Sequence, residues 1–312
     1  MTKKLLLGMI AAAGLLATSC SSNDLSNPQD NGDYVTASFT IETPEGILTR
    51  AIGDGSQADK VACAIFHDGN ELPALRQVVD VKNKVATYNV RLTKGQTYKA
   101  VFFAYNSTAA AYDVTDMKAI TLKDNQSCNA ENRDAFTASV DVIVTDQSIE
   151  QNVTLYRPFA QLNIGSTTED YEAAKNAGFE VTKTKVTVSN VYTSFNAVED
   201  KVVGSTTEVT YNLADIPTET LKVMVEGTEK EFTYLALNYL LVGDKDAEKA
   251  LTNVDFTWQT VDGKTNTTAI TFNNVPVQRN YRTNIVGNVL SYPATFNIVV
   301  DEEFDGDKNV NI

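Results

Sequence analysis

The chain has 312 residues, of which 43% are hydrophobic and 21% charged, and its net charge is −14 at pH 7. This length suits one large domain or two domains of ordinary size. The negative charge repels polyanions, and the sequence has neither a basic run beyond the extreme N-terminus nor zinc-spaced cysteines and histidines, which argues against nucleic acid as a partner.

The first residues carry the pattern of a bacterial export signal. Two lysines precede an apolar run at residues 5–16, and the segment ends at Cys20. The run is too short to cross a membrane as a helix. A cysteine at this junction resembles a lipobox, which predicts cleavage before Cys20 and attachment of a diacylglycerol to its thiol. We therefore predict a lipoprotein signal peptide at 1–19 and a polar tether at 20–33, although an ordinary signal peptide remains the alternative.

A strand is predicted at the start of residues 34–50. Apolar residues alternate there with polar ones, which is typical of a half-buried strand. They are Val35, Ala37, Phe39 and Ile41. The pattern then breaks, and a short apolar patch ends in Arg50, which is followed by Ala51 and other small residues. The sequence thus predicts an exposed site for a trypsin-like protease directly after a well-patterned strand.

Most of the remaining chain is predicted to form short strands rich in Val, Thr, Tyr and Phe. The candidates are 61–66, 86–92, 97–105, 137–144, 153–156, 159–164, 181–189, 232–241, 254–258, 269–272, 284–290 and 294–300. This spacing is typical of β-sandwiches, so the predicted fold class is all-β with minor α content. Arg157 and Pro158 interrupt the pattern, which places a boundary between tandem sandwich domains at 34–156 and 157–312.

Two helices are predicted within the second domain. Residues 166–169 form a capping box, the following residues favour a helix, and Gly178 ends it. Residues 244–251 favour a second, shorter helix.

No catalytic or metal-binding constellation stands out. His67, the sole histidine, provides no confident Ser-His-Asp triad and no metal spacing. The acidic tail that begins at Asp301 lacks the spacing of a calcium loop. We therefore predict no enzyme activity, no catalytic residue, no metal and no cofactor. Cys63 lies in a predicted strand and Cys128 in a polar loop, and the sequence leaves open whether they pair.

The two ends of the mature chain share one strand pattern. Residues 37–41 are Ala-Ser-Phe-Thr-Ile and residues 294–298 are Ala-Thr-Phe-Asn-Ile. A groove that fits one strand would fit the other, and a slip of one residue would turn the apolar side chains outward. We hypothesise that the first strand is a temporary plug: a protease cuts after Arg50, the strand leaves, and the C-terminal strand of another copy replaces it. The donor residues are Ala294, Phe296, Ile298 and Val300.

The chain as a whole resembles the fimbrillins of Bacteroidota, the subunits of type V pili. The resemblance rests on the lipobox, the acidic β-rich chain and the position of Arg50 downstream of Cys20. Two further motifs carry it: YRPFAQLNI at residues 156–164 and VPVQRNYRTNIVGNVL at residues 275–290.

The resemblance implies two tandem sandwiches of transthyretin-like, Greek-key topology and a pathway of pilus assembly. A lipoprotein anchored through Cys20 would reach the outer membrane, an Arg-specific protease would cut between Arg50 and Ala51, and subunits would then exchange strands. The implied partners are other fimbrial subunits, the protease and the outer membrane. The implied location is the cell surface, within a fimbrium. The family also contains anchor subunits, which keep their lipid and first strand, and tip subunits.

Two alternatives stay open at this point. One is a monomeric cell-surface lipoprotein that binds glycan or protein and keeps its first strand. Its aromatic residues would stack on sugar rings, whereas burial of those aromatics between sheets would count against it. They are Trp258, Tyr234, Tyr239 and Tyr281. The other alternative is a pilus anchor subunit that is not cleaved.

Overall fold

The computed structural model of the chain describes residues 32–44, 55–123, 126–244, 247–266, 268–291 and 293–301. The predicted lipid attachment site, Cys20, lies outside these residues. So do the predicted cleavage site, Arg50 and Ala51, and the tail at 302–312.

Within the described residues the chain is almost entirely β, which confirms the predicted fold class. The strands are β1 (Tyr34–Glu42), β2 (Lys60–His67), β3 (Asn70–Glu71), β4 (Gln77–Asp80), β5 (Val85–Thr93), β6 (Thr97–Tyr105), β7 (Tyr112–Asp113), β8 (Ile120–Leu122), β9 (Phe136–Ile143), β10 (Ile149–Thr154), β11 (Ala160–Ser166), β12 (Val181–Val191), β13 (Ser194–Asn196), β14 (Lys201–Val203), β15 (Thr207–Asp215), β16 (Thr220–Val225), β17 (Thr228–Leu240), β18 (Ala250–Thr260), β19 (Ile270–Val277), β20 (Arg282–Asn288) and β21 (Thr295–Asp301). One α-helix, α1 (Thr168–Asn176), lies between β11 and β12.

The first half of the chain forms a sandwich of two sheets. Sheet A has the strand order β10-β1-β5, and sheet B has the order β3-β2-β6-β9, with β4 also paired to β2. Side chains from both sheets meet in a first core that includes Phe39, Tyr88 and Phe102. Strands of this kind form because alternate residues point to opposite faces, and the apolar set of each strand is buried against the other sheet.

The second half forms another sandwich. Sheet C has the order β16-β17-β11-β20-β21, and sheet D has the order β15-β12-β18-β19. Their facing sides enclose a second core that includes Leu162, Phe256 and Phe272.

A third core, here called the middle core, joins the two halves. It lies on the outer faces of sheets B and C, so that Phe66 of β2 and Leu221 of β16 belong to one buried cluster. A small sheet of order β14-β13-β8-β7 draws two strands from each half of the chain. Arg157 and Asp134 form a fully buried ion pair, with Nε 2.5 Å from Oδ1. The two halves are therefore held together by packing and by this pair as well as by the chain.

The helix predicted after residue 166 is confirmed. Its N-cap is Thr167, whose hydroxyl accepts a hydrogen bond from the backbone N–H of Asp170 (3.2 Å). The second predicted helix is wrong, because Ala250–Thr260 is strand β18, which pairs with both β12 and β19. Pairing on both sides stabilises a strand there more than the local helix preference of residues 244–251 stabilises a helix. In the part of the chain that the structure describes, no helix has the length and apolarity needed to cross a membrane.

The two sandwiches repeat one arrangement around their first strands. β1 is antiparallel to β5 and parallel to β10, and β11 is antiparallel to β17 and parallel to β20. Both strands bury the same pattern, an alanine, a large apolar residue and an isoleucine at every second position. These residues are Ala37, Phe39 and Ile41 in the first core and Ala160, Leu162 and Ile164 in the second.

Candidate functional site

The first strand is the middle strand of sheet A. Along its whole length, from Tyr34 to Glu42, it pairs with β5, and from Ala37 onward it also pairs with β10. Removal of β1 would therefore open a slot between β5 and β10, and backbone N–H and C=O groups on both sides of that slot would lose their partners.

The apolar face of β1 is fully embedded in the first core. Val35 is 7% exposed, Ala37 and Phe39 are 0% exposed and Ile41 is 1% exposed. The ring of Phe39 lies 5.9 Å from that of Tyr88 and 5.5 Å from that of Phe102. Burial of Val35, Phe39 and Ile41 contributes roughly 1.5–3 kcal/mol each, or about 5–9 kcal/mol before conformational entropy is counted.

Pro44 and Gly55, the described residues on either side of 45–54, lie close together. Thr43, just after β1, donates its backbone N–H to the carbonyl oxygen of Lys84 (3.0 Å). A Cβ added to Gly55 would lie 2.7 Å from the carbonyl oxygen of Pro44. Gly55 therefore lies beside the end of β1, and the predicted cleavage site, Arg50, lies outside the described residues.

The structure shows which residues surround β1 and would line the slot after its removal. The walls come from β5, from β10 and from the face of sheet B that lies beneath them. They include Val61, Ile65, Ala86, Tyr88, Val90, Leu92, Phe102, Ala104 and Val153. Tyr88 lies at the centre: its hydroxyl donates to the carbonyl oxygen of Leu75 (2.6 Å), and burial raises the pKa of the phenol above its ordinary value. The alternation in residues 86–92 is the sequence signal that could have marked this wall.

The predicted donor residues lie in and next to β21, the edge strand of sheet C. β21 pairs only with β20 among the described strands, in antiparallel register. Phe296 is 39% exposed, and its ring lies 4.8 Å from that of Phe272. Ala294, Ile298 and Val300 are half-buried. Within one molecule, β21 and β1 belong to different sandwiches.

The remaining candidate residues are structural. Cys63 lies in the first core and Cys128 in the second, and both are free. Burial raises the pKa of the Cys128 thiol to about 11. His67 donates from Nδ1 to the carbonyl oxygen of Thr97 (3.0 Å) at the surface. No cluster of three or more metal-ligating side chains occurs among the described residues.

The aromatic residues considered for sugar binding separate into two groups. Tyr234 and Tyr239 are each 3% exposed and lie in the middle core. Trp258 and Tyr281 are instead half-buried, and Trp258 packs against the second core with its ring 6.1 Å from that of Phe179. The two rings are part of a pocket of about 330 Å³ beside α1. The pocket is lined by Ala173, Ala174, Ala177, Phe179, Val181, Trp258, Leu290 and Ser291.

Comparison with known proteins gives one family match and several similar structures. Residues 28–312 match the model of a family described as "Family of unknown function (DUF6562)". No curated protein matches the chain.

Three solved structures illustrate the similarity. The tip fimbrial protein Mfa3 from Porphyromonas gingivalis, with C-terminal truncation, is 12% identical, with a TM-score of 0.46 over 86% of this chain and 99% of that chain. A candidate cell adhesion protein from Bacteroides ovatus is 15% identical, with a TM-score of 0.47 over 87% of this chain and 98% of that chain. A candidate adhesin from Bacteroides thetaiotaomicron is 10% identical, with a TM-score of 0.48 over 86% of this chain and 96% of that chain. The three are described as a tip fimbrial protein, a cell adhesion protein and an adhesin.

Proposed function

The chain belongs, over residues 28–312, to this family of unknown function, and we propose that it is a structural or adhesive pilus subunit of the cell surface. In this proposal it is exported as a lipoprotein, cut after Arg50 and joined to other subunits by strand exchange. Its partners are other subunits, an Arg-specific protease and, through lipid on Cys20, the outer membrane.

One observation carries the proposal: a strand next to the predicted cleavage site fills the middle of a sheet. β1 buries Ala37, Phe39 and Ile41 almost completely, and the Arg50 segment starts where β1 ends. A cut there leaves β1 attached to the core only by non-covalent contacts. The strand can then leave without breaking any other part of the chain.

The energetics favour replacement over an empty slot. The roughly 5–9 kcal/mol contributed by β1 is comparable to the whole stability of a domain, about 5–15 kcal/mol. A slot without its strand would therefore not persist, and its unpaired edges would be adhesive.

β21 is suited to fill such a slot in another copy. Its Phe296 and Ile298 are only partly buried in sheet C, and they repeat the spacing of Phe39 and Ile41. β11 supports the register in which Phe296 takes the place of Phe39. It carries the same pattern of an alanine, a large apolar residue and an isoleucine, and it lies between an antiparallel and a parallel neighbour as β1 does. Contact of a donor end with an acceptor slot is heterologous, so it propagates into a filament.

The proposal is tested with full-length mature protein that lacks the lipid. An Arg-specific protease is added, and the product is followed by intact mass and by an unboiled gel. We expect one early cut after Arg50 and then a ladder of multimers. Arg50→Ala is the matched control that should stay monomeric, and deletion of residues 294–312 should abolish the ladder while leaving the cut. A stable monomer after cleavage at Arg50 would contradict strand exchange.

A second candidate function, binding of a glycan by a monomeric surface lipoprotein, is favoured by the pocket at Trp258 and Phe179. Exposed aromatic rings stack on the apolar faces of sugars. The buried positions of Tyr234 and Tyr239 count against a wider aromatic platform. Binding to a panel of glycans that is lost in Trp258→Ala, with no ladder after cleavage, would favour this candidate.

A further inference from the structure

A chain of buried polar side chains crosses sheet C and ends on β21. The Tyr234 hydroxyl donates to Asn163 Oδ1 (2.5 Å), and Asn163 Nδ2 donates to Asn284 Oδ1 (2.7 Å). Asn284 Nδ2 then donates to Asp301 Oδ2 (2.9 Å). These residues stand on four neighbouring strands, β17, β11, β20 and β21. Tyr234, Asn163 and Asn284 are at most 3% exposed, so the chain runs inside the protein.

The direction of this chain is set at its β21 end. An ionised carboxylate only accepts hydrogen bonds, whereas an amide both donates and accepts. With Asp301 as the final acceptor, each amide turns its N–H toward β21 and its oxygen toward the preceding donor. A buried polar chain is stable only when every member has its partner, so Asp301 completes a network that reaches back to Tyr234.

The charges around Asp301 are consistent with this role. Arg282 is the residue directly opposite Asp301 in the ladder, on the face of sheet C that borders the middle core. Burial raises the pKa of Asp301, and the Asn284 hydrogen bond and the Arg282 charge act in the opposite direction. The partly buried carboxylate therefore depends on two specific partners, Asn284 and Arg282, to offset the cost of its burial.

The other end of β21 is held by close backbone contact. A Cβ added to Gly287 would lie 2.6 Å from the Cα of Phe296 and would also collide with the carbonyl oxygen of Thr295. Between these two ends, Phe296 and Ile298 contribute only partly buried apolar area.

We propose that Asp301 is a catch that holds β21 on its own sheet, by accepting the hydrogen bond of Asn284 at the end of the polar chain. The regulatory consequence rests on the proposed function: the catch keeps β21 paired with β20 in its own sheet until a slot in another copy can bury it more fully. In the register that aligns Phe296 with Phe39, Asp301 falls at the position of Pro44, beyond the end of β1 at Glu42. The carboxylate therefore leaves Asn284 and lies past the segment that would fill the slot.

The catch is tested in the uncut, lipid-free protein by amide hydrogen exchange of the segment 296–301. Asp301→Ala removes the acceptor, and we expect exchange of this segment to rise about tenfold or more, since a hydrogen bond to a charged group is lost. Asp301→Asn keeps an acceptor oxygen and should stay within about threefold of the unmodified protein. Thr295→Ala, at the exposed other end of β21, is the matched control. Equal exchange in Asp301→Ala and the unmodified protein would overturn the proposal.

The same variants separate this inference from the proposed function. After cleavage at Arg50, Asp301→Ala should form multimers faster than the unmodified protein, because its donor strand is released more readily. If the variant exchanges faster but no protein forms a ladder, the catch stands and strand exchange between copies fails. If ladders form at the same rate and exchange is also unchanged, the catch fails and strand exchange stands.

Discussion

Phe39 of β1 stacks against Tyr88 of β5, with ring centroids 5.9 Å apart and ring planes inclined by 21°. Phe102 of the facing sheet completes the cluster, so one aromatic residue of the first strand contacts both sheets of the first sandwich. This contact is the centre of the proposed slot, and it leads to the first prediction.

Phe39→Ala should destabilise the first sandwich by about 3–5 kcal/mol, because a fully buried ring is replaced by a cavity. Chemical denaturation of the uncut protein measures this change. Thr36→Ala, on the exposed face of the same strand, should change the free energy of unfolding by less than about 0.5 kcal/mol. Similar values for the two variants would mean that β1 does not seal the core.

Phe296→Ala should separate stability from assembly. In the uncut monomer the side chain is 39% exposed, so its loss should lower stability by only about 1 kcal/mol. After cleavage at Arg50 the same variant should form few multimers, because its ring would occupy the place of Phe39 in another copy. The gel assay with Asn297→Ala as control checks this, and an undiminished ladder in Phe296→Ala would speak against the predicted register.

Gly287→Ala should loosen β21. The added Cβ collides with the backbone of Thr295 and Phe296, which cannot move aside as a flexible side chain can. We expect faster hydrogen exchange in segment 295–301 and little change in β1. Gly178→Ala serves as control for a glycine substitution, since a Cβ there meets no atom within 4 Å. Unchanged hydrogen exchange of β21 in Gly287→Ala would show that β20 and β21 lie farther apart at Gly287 than in this structure.

The attachment of β21 should depend on pH in a defined direction. Burial raises the pKa of Asp301 from its ordinary value of 3.8. The Asp301 carboxylate therefore binds a proton more readily when β21 is paired in its sheet than when β21 is released. The free energy holding β21 is therefore largest below that ordinary value and decreases as the pH rises through the raised pKa. Exchange rates of segment 296–301, corrected for intrinsic rates between pH 3 and 7, check this. Asp301→Asn should lack this pH dependence. If its exchange rates changed with pH as much as those of the unmodified protein, another titrating group would be responsible.

Cys63 and Cys128 should be unreactive in the folded protein. Burial raises the pKa of Cys128 to about 11 and raises that of Cys63 as well, so neither forms a thiolate near neutral pH. In protein that begins after Cys20, a colorimetric thiol reagent should detect no thiol in the native state and two thiols in guanidinium. A missing thiol under denaturing, non-reducing conditions would instead indicate a disulfide.

Several parts of the fold could be predicted from local pattern. The strand predicted at 97–105 is β6 with the same limits, and α1 forms where its capping residues indicate. β16 is absent from the predicted strands although its residues alternate between exposed and buried. The three-residue strand β13 is too short to show a pattern of its own, and its pairing partners stabilise it. The slot walls were missed for a related reason, since β5 and β10 become neighbours of β1 only in the folded sheet.

The sequence by itself determined which side chains of each strand lie together, since residues two apart share a face whatever the strand pairs with. It therefore revealed that residues 37–41 and 294–298 present the same apolar face. Only the tertiary structure decided that the first of these segments is buried between two strands and that the second lies half-exposed at an edge. The physical reason is that burial and hydrogen bonding of a strand come from neighbours distant in the chain, and two segments with one pattern can have entirely different neighbours.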